Sequence, residues 1–142
     1  DSYENPDDIA EIQHAQDTMG YFNLKMGKHE EAVNLFKESR SGADARNAGF
    51  QKDLLFHMGQ AMHESGDEAG AQEAYQATIE PAKVAKDWRK VMAASAWLAD
   101  QQLREGDSAA ARVLLTAAAD AAETGNLREE HKGLRRRLEN LT

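Results

Sequence analysis

Five histidines are the residues of this chain whose chemistry could support a metal site. They are His14, His29, His57, His63 and His131. Glu11 and His14 are three residues apart, a spacing that puts both side chains on one face of a helix, as in di-iron carboxylate bundles. Those sites require a second motif of the same kind, and the sequence contains none. We therefore expect no native metal site.

The residue patterns that support catalysis in other proteins are missing from this sequence. It has no cysteine, which excludes a disulfide framework, a zinc-thiolate site and a cysteine nucleophile. It also has no glycine-rich phosphate loop and no nucleophile elbow. We expect the chain not to be an enzyme and to bind no cofactor, with an unrecognised helical enzyme or metal carrier as a remaining alternative.

The formal net charge of −8 argues against nucleic-acid binding, which requires clustered lysine and arginine to replace the counterions of the phosphates. No stretch approaches the roughly 18 consecutive apolar residues that cross a bilayer, and the N-terminus lacks a secretory signal pattern. We therefore expect a soluble, cytoplasmic chain that binds neither nucleic acid nor membrane. Because it begins with Asp1 rather than methionine, we also consider it a fragment of a larger protein.

Composition favours helices throughout the chain. Hydrophobic residues make up 41% and charged residues 30% of the 142 residues, and there are only two prolines. Alanine is abundant, and little in the composition supports β-strands. A chain of this length can bury a sizeable core, so we expect residues 1–142 to form a single all-α domain.

A repeat runs through most of the sequence. Turn-forming glycines at Gly27, Gly66 and Gly106 are spaced 39 and 40 residues apart. Four further columns of residues keep the same step: Ala32, Ala71 and Ala111; Phe36, Tyr75 and Leu115; Gly20, Gly59 and Ala99; Met19, Met58 and Leu98. Small residues at helix crossings let two backbones approach closely, and a large residue one turn away fills the remaining gap.

These columns resemble the tetratricopeptide repeat (TPR) family, in a longer variant of about 40 residues. The family pattern has a small residue midway along the first helix, an alanine early in the second and an aromatic residue four positions later. The chain departs from the pattern where the family has an aromatic residue and an early tryptophan in the first helix. Those positions carry Asn23, Met62 and Gln102, and Gln16, Leu55 and Ser95, respectively.

The resemblance implies a TPR-like α-solenoid of three antiparallel helix pairs and a C-terminal capping helix. We expect repeats at about 6–41, 48–84 and 87–124 and a capping helix at 126–141. Local chemistry sets the limits, since Asn5 and Pro6 suit a helix start and residues 126–129 resemble a capping box. The basic run 135–137 is interpreted as the polar face of this capping helix, with a phosphate or membrane patch or a connecting helix as alternatives.

In this family the first helices of successive pairs line a concave groove, so the resemblance also implies a binding surface. The expected groove residues are Tyr21, His57, Gln60, Trp97, Asp100 and Arg104. The lysine, arginine and asparagine residues that grip a terminal carboxylate in some family members are absent from the matching positions. The groove is better suited to a helix or an extended peptide with apolar and basic side chains. Ordinary helix packing or solvation remains an alternative role for each residue.

The leading functional hypothesis is a non-catalytic interaction module that binds a peptide or helix of another protein in this groove. The alternative is a sensory or dimerising module of a larger bacterial signalling or transcriptional regulator whose output domain lies outside the chain. Homo-oligomerisation stays open under either hypothesis. The two hypotheses differ in where the activity resides, since only the first requires the groove itself to hold a partner.

Overall fold

The computed structural model describes residues 19–21, 23–41 and 48–141. These residues form helices and short turns, and no strand occurs among them, so the predicted all-α class is confirmed. Helix α1 comprises the described helical residues 19–21 and 23–25. The six helices that follow are α2 (His29–Ser41), α3 (Ala48–Glu64), α4 (Glu68–Val84), α5 (Trp88–Arg104), α6 (Ser108–Thr124) and α7 (Arg128–Asn140). The predicted helix start at Pro6 lies outside the described residues.

One type of three-residue turn follows α1, α3, α4, α5 and α6. Between α5 and α6, the Gly106 N–H donates to the Leu103 carbonyl at 3.1 Å and the Asp107 N–H donates to the Gln102 carbonyl at 2.8 Å. This pair of bonds is the Schellman motif, which requires one residue in the left-handed region. The left-handed residues of the five turns are Gly27, Gly66, Lys86, Gly106 and Asn126.

The residue after each left-handed position directly precedes the next helix, and in three of the turns it is an aspartate. One carboxylate oxygen of Asp67, Asp87 and Asp107 accepts a hydrogen bond from the backbone N–H three residues later, at 2.9, 3.2 and 2.9 Å respectively. An N-cap of this kind satisfies a backbone donor that the first helical turn leaves free. Because α4, α5 and α6 are each 17 residues long, helix and turn together repeat every 20 residues.

The chain divides into two compact units, one ending at Ala74 and the other beginning at Tyr75. The single domain expected for residues 1–142 stays a prediction. In the second unit α5 packs against α6, and α6 packs against α7. The main core cluster of this unit consists of Ala99, Leu115, Ala118, Ala119, Ala122 and Leu134. Alanines at these crossings let the helix backbones approach closely.

In the first unit α2 packs against α3. Gly20 lies so close to the ring of Phe36 that an added Cβ would be 2.6 Å from its Cε1 atom. The alanines expected to be buried, Ala32, Ala71 and Ala111, have no exposed surface. Met19 differs from its repeat partners, because it is 56% exposed whereas Met58 and Leu98 are 2% exposed. The expectation that Met19 belongs to the core is therefore wrong.

Candidate partner-binding site

The first unit contains three of the expected groove residues, Tyr21, His57 and Gln60. His57 and Gln60 are three residues apart on α3, which places them on one face, and both are half-buried. The His57 ring lies 4.7 Å from the ring of Tyr21, with an angle of 45° between the ring planes. On a second side, the same imidazole lies 5.9 Å from the ring of Phe36. The structure thus brings Tyr21 and His57 together, supported by a fully buried phenylalanine.

Tyr21 is the accessible end of this row of rings, since 38% of its surface is exposed. The Lys25 ammonium lies 5.2 Å from the centroid of the Tyr21 ring, within the range of a cation–π interaction. The row therefore presents an aromatic ring and a positive charge to solvent in fixed relative positions. Tyr21 and Lys25 are four residues apart on α1, which is the spacing at which helical side chains meet.

The second unit contains the other three expected residues, Trp97, Asp100 and Arg104. They follow one face of α5, because they occupy positions i, i+3 and i+7. Trp97 is half-buried, and its ring lies 4.6 Å from that of Tyr75 on α4, tilted by 38°. Sequence reasoning assigned Tyr75 only to a core column. The structure adds a second role, which is to support the tryptophan of the candidate site.

Asp100 forms an ion pair with Arg137 of α7. A second ion pair joins the same two helices, with Arg89 Nη1 and Glu130 Oε1 at 3.3 Å. The Asp100 and Arg137 side chains are 46% and 41% exposed, so water screens their attraction and we expect only a small contribution to stability. Sequence reasoning expected Asp100 to meet a partner directly. In the structure an arginine of the basic run pairs with it, and its contact with a partner stays a prediction.

Arg104 is exposed in the last turn of α5. Within the described part of the chain, the structure gives it no hydrogen bond or ion pair. Arg104 is therefore available to a negatively charged group of a partner. The six expected residues fall into two sets, one in each unit. The single groove that would combine them stays a prediction.

No group of three or more metal-ligating residues occurs among the residues that the structure describes. One pair of such residues has His63 Nδ1 and Glu68 Oε1 2.9 Å apart, with both side chains exposed to solvent. Two ligands on an exposed surface fall short of the four that zinc usually requires. The Glu11 and His14 motif lies outside the described residues. In the described ranges, no helix has both the length and the apolar character needed to cross a bilayer.

Comparisons with protein-family models, with curated proteins and with solved structures gave no match. The resemblance to the TPR family therefore stays a prediction that rests on the residue columns.

Proposed function

We propose that this chain is a non-catalytic, TPR-like interaction module that binds a peptide or helix of a partner protein. The observation that carries the proposal is the row of Trp97, Asp100 and Arg104 along one face of α5, with Trp97 supported by Tyr75. Tryptophan and arginine are the residues most enriched at binding hot spots. A partly buried tryptophan held by a second ring offers a rigid apolar contact, because little side-chain entropy is lost when a partner covers it.

The repeated helix-and-turn unit supports the TPR-like part of the proposal. Solenoids are built from structural repeats that contact mainly their neighbours, so equal helix lengths and identical turns are expected. Helices α4, α5 and α6 have the same length, and each is followed by the same Schellman turn. We propose that α7 is the capping helix of this array, since only Leu134 is buried in it and most of its other residues are charged.

The charged groups around Trp97 indicate which chemical groups a partner would place against this surface. The partner would place an apolar side chain against the tryptophan and an acidic group near Arg104. A basic group would compete with Arg137 for Asp100, and this exchange would cost little because the existing pair is exposed. In the first unit, the Tyr21 and His57 rings are proposed as a second aromatic contact for the same class of ligand.

The test is quantitative affinity capture from a lysate of the source organism, with the wild-type chain and two variants as baits. One variant carries Trp97→Ala and Asp100→Asn, and the other carries Arg104→Glu. We expect the proteins captured by the wild type to be lost with both variants. Arg104→Glu matters because this exposed side chain can change without disturbing the core.

The matched control is Glu80→Lys, an exposed charge reversal on α4 that lies outside the proposed surface. It should retain the captured proteins, and circular dichroism should show unchanged helicity for all baits. If the two α5 variants capture the same proteins as the wild type at the same yield, the proposal is wrong.

A further inference from the structure

A cleft of about 560 Å³ opens in the first unit between α2 and α4. Met58 and Met62 of α3 form its floor, and both are almost completely buried. Lys37 of α2 forms one wall. The other wall is α4 with the turn before it, which contributes Asp67, Gly70, Glu73 and Ala74. The cleft thus combines a thioether floor with walls of opposite charge.

Small residues of α4 line the cleft next to this floor. An added Cβ on Gly70 would lie 2.8 Å from the Met62 sulfur, so no side chain at this position covers the thioether. Because α4 and α6 repeat with a step of 40 residues, Gly70 and Ala74 correspond to Ala110 and Leu114. Leu114 packs against the core of the second unit. The cleft therefore reflects two small residues at positions where the corresponding helix has larger ones.

The chemistry of the cleft favours one kind of occupant. Methionine is flexible and polarizable, and it is over-used at surfaces that accept varied apolar side chains. Both carboxylates stand on the α4 wall, and one ammonium group faces them, so the cleft is negative overall. An apolar floor beside an acidic wall is complementary to a helix with one apolar face and lysine or arginine at its border.

We propose that this cleft is a second binding site, which accepts a basic amphipathic helix of a partner protein. The apolar side chains of the helix insert over Met58 and Met62, and its basic residues face Asp67 and Glu73. The proposal goes beyond the function proposed above and does not depend on it. Met58 and Met62 lie on a different side of α3 from His57 and Gln60, because successive residues of a helix are rotated by about 100°.

The probe is a fluorescent amphipathic helical peptide of leucine and lysine, titrated with the full chain and followed by fluorescence anisotropy. Ala74→Leu fills the cleft with the residue found at the corresponding position of α6, and we expect it to weaken binding at least tenfold. The matched control Gln76→Leu adds the same side chain at an exposed position of α4 outside the cleft. This control should bind like the wild type.

A second pair of variants tests the charge without entering the core. Glu73→Lys should weaken binding severalfold, whereas Glu80→Lys changes the net charge equally outside the cleft and should leave binding unchanged. Equal loss with both lysine variants would mean that the peptide responds only to the net charge, and the site would be rejected. The proposal also fails if Ala74→Leu, folded by circular dichroism, binds normally or if a leucine and glutamate peptide binds as tightly.

Discussion

Lys86 stands in the left-handed region at φ 59°, at a turn position where three of the other turns have glycine. A left-handed conformation costs a residue with a Cβ about 1–2 kcal/mol. Glycine removes that strain, but it also loses about 0.5–1 kcal/mol more conformational entropy on folding than alanine does. The difference predicts that Lys86→Gly raises the free energy of unfolding by about 0.5–1 kcal/mol. For a chain of this size, the melting temperature should rise by about 2–4 °C.

Thermal and urea unfolding followed by circular dichroism at 222 nm measures this change. The matched control is Gln76→Gly, at an exposed position inside α4, where glycine should cost about 1 kcal/mol. The reciprocal variant is Gly106→Lys, which should destabilise the chain. In the described part of the chain, no heavy atom lies within 4 Å of a Cβ added at Gly106, so any cost there comes from the backbone and not from a clash.

The three variants together distinguish the effect of the left-handed turn position on stability from a general effect of glycine. Because residue 86 is left-handed, glycine should stabilise the chain there. Residue 76 is helical, so glycine should destabilise the chain at that position. A loss of stability in Lys86→Gly as large as that in Gln76→Gly would refute the reasoning. Unchanged stability in Gly106→Lys would refute the claim that a left-handed conformation strains a residue with a Cβ.

Three further predictions concern packing and charge. Ser95 is 1% exposed and its hydroxyl has no hydrogen-bond partner among the described residues, so Ser95→Ala should raise the free energy of unfolding by about 1 kcal/mol in urea titrations. In Gly125→Ala the new Cβ would lie 2.7 Å from the Trp88 Cβ, so the melting curve should show a loss of about 1–3 kcal/mol; stability equal to the wild type would contradict that contact. A double-mutant cycle on Asp100 and Arg137 should give a coupling of roughly 0.2–1 kcal/mol that decreases in high salt, because the pair is exposed. A coupling that salt leaves unchanged would contradict the solvent-exposed geometry.

The local sequence was sufficient to predict which segments are helical. Helices α3 to α7 lie within the segments 48–84, 87–124 and 126–141, which were expected to be helical. Turn chemistry explains this agreement, because glycine favours the left-handed position and aspartate caps the following helix. Lys86 shows the limit of such reasoning. Nothing in the residue type indicates a left-handed conformation, and only the hydrogen bonds of the turn require it.

The candidate site was predicted less completely than the helices. Trp97, Asp100 and Arg104 lie on one face of α5 as expected, since helical spacing alone decides which residues share a face. Their neighbours were not predicted. Tyr75 reaches Trp97 from another helix, and Arg137 reaches Asp100 over a separation of 37 residues. Contacts of this kind depend on helix packing, which single residue positions do not specify.

By itself, the sequence of this protein determined the helical class, the approximate extent of the helices and the burial of the repeated alanines. These follow from propensity, capping and periodicity, which act over a few neighbouring residues. Only the tertiary structure decided that Arg137 pairs with Asp100, that Met19 is exposed and that a cleft opens above Met58 and Met62. The reason is that each depends on the volume and charge that one helix presents to another, and the distance between two helices is set by all the side chains packed between them.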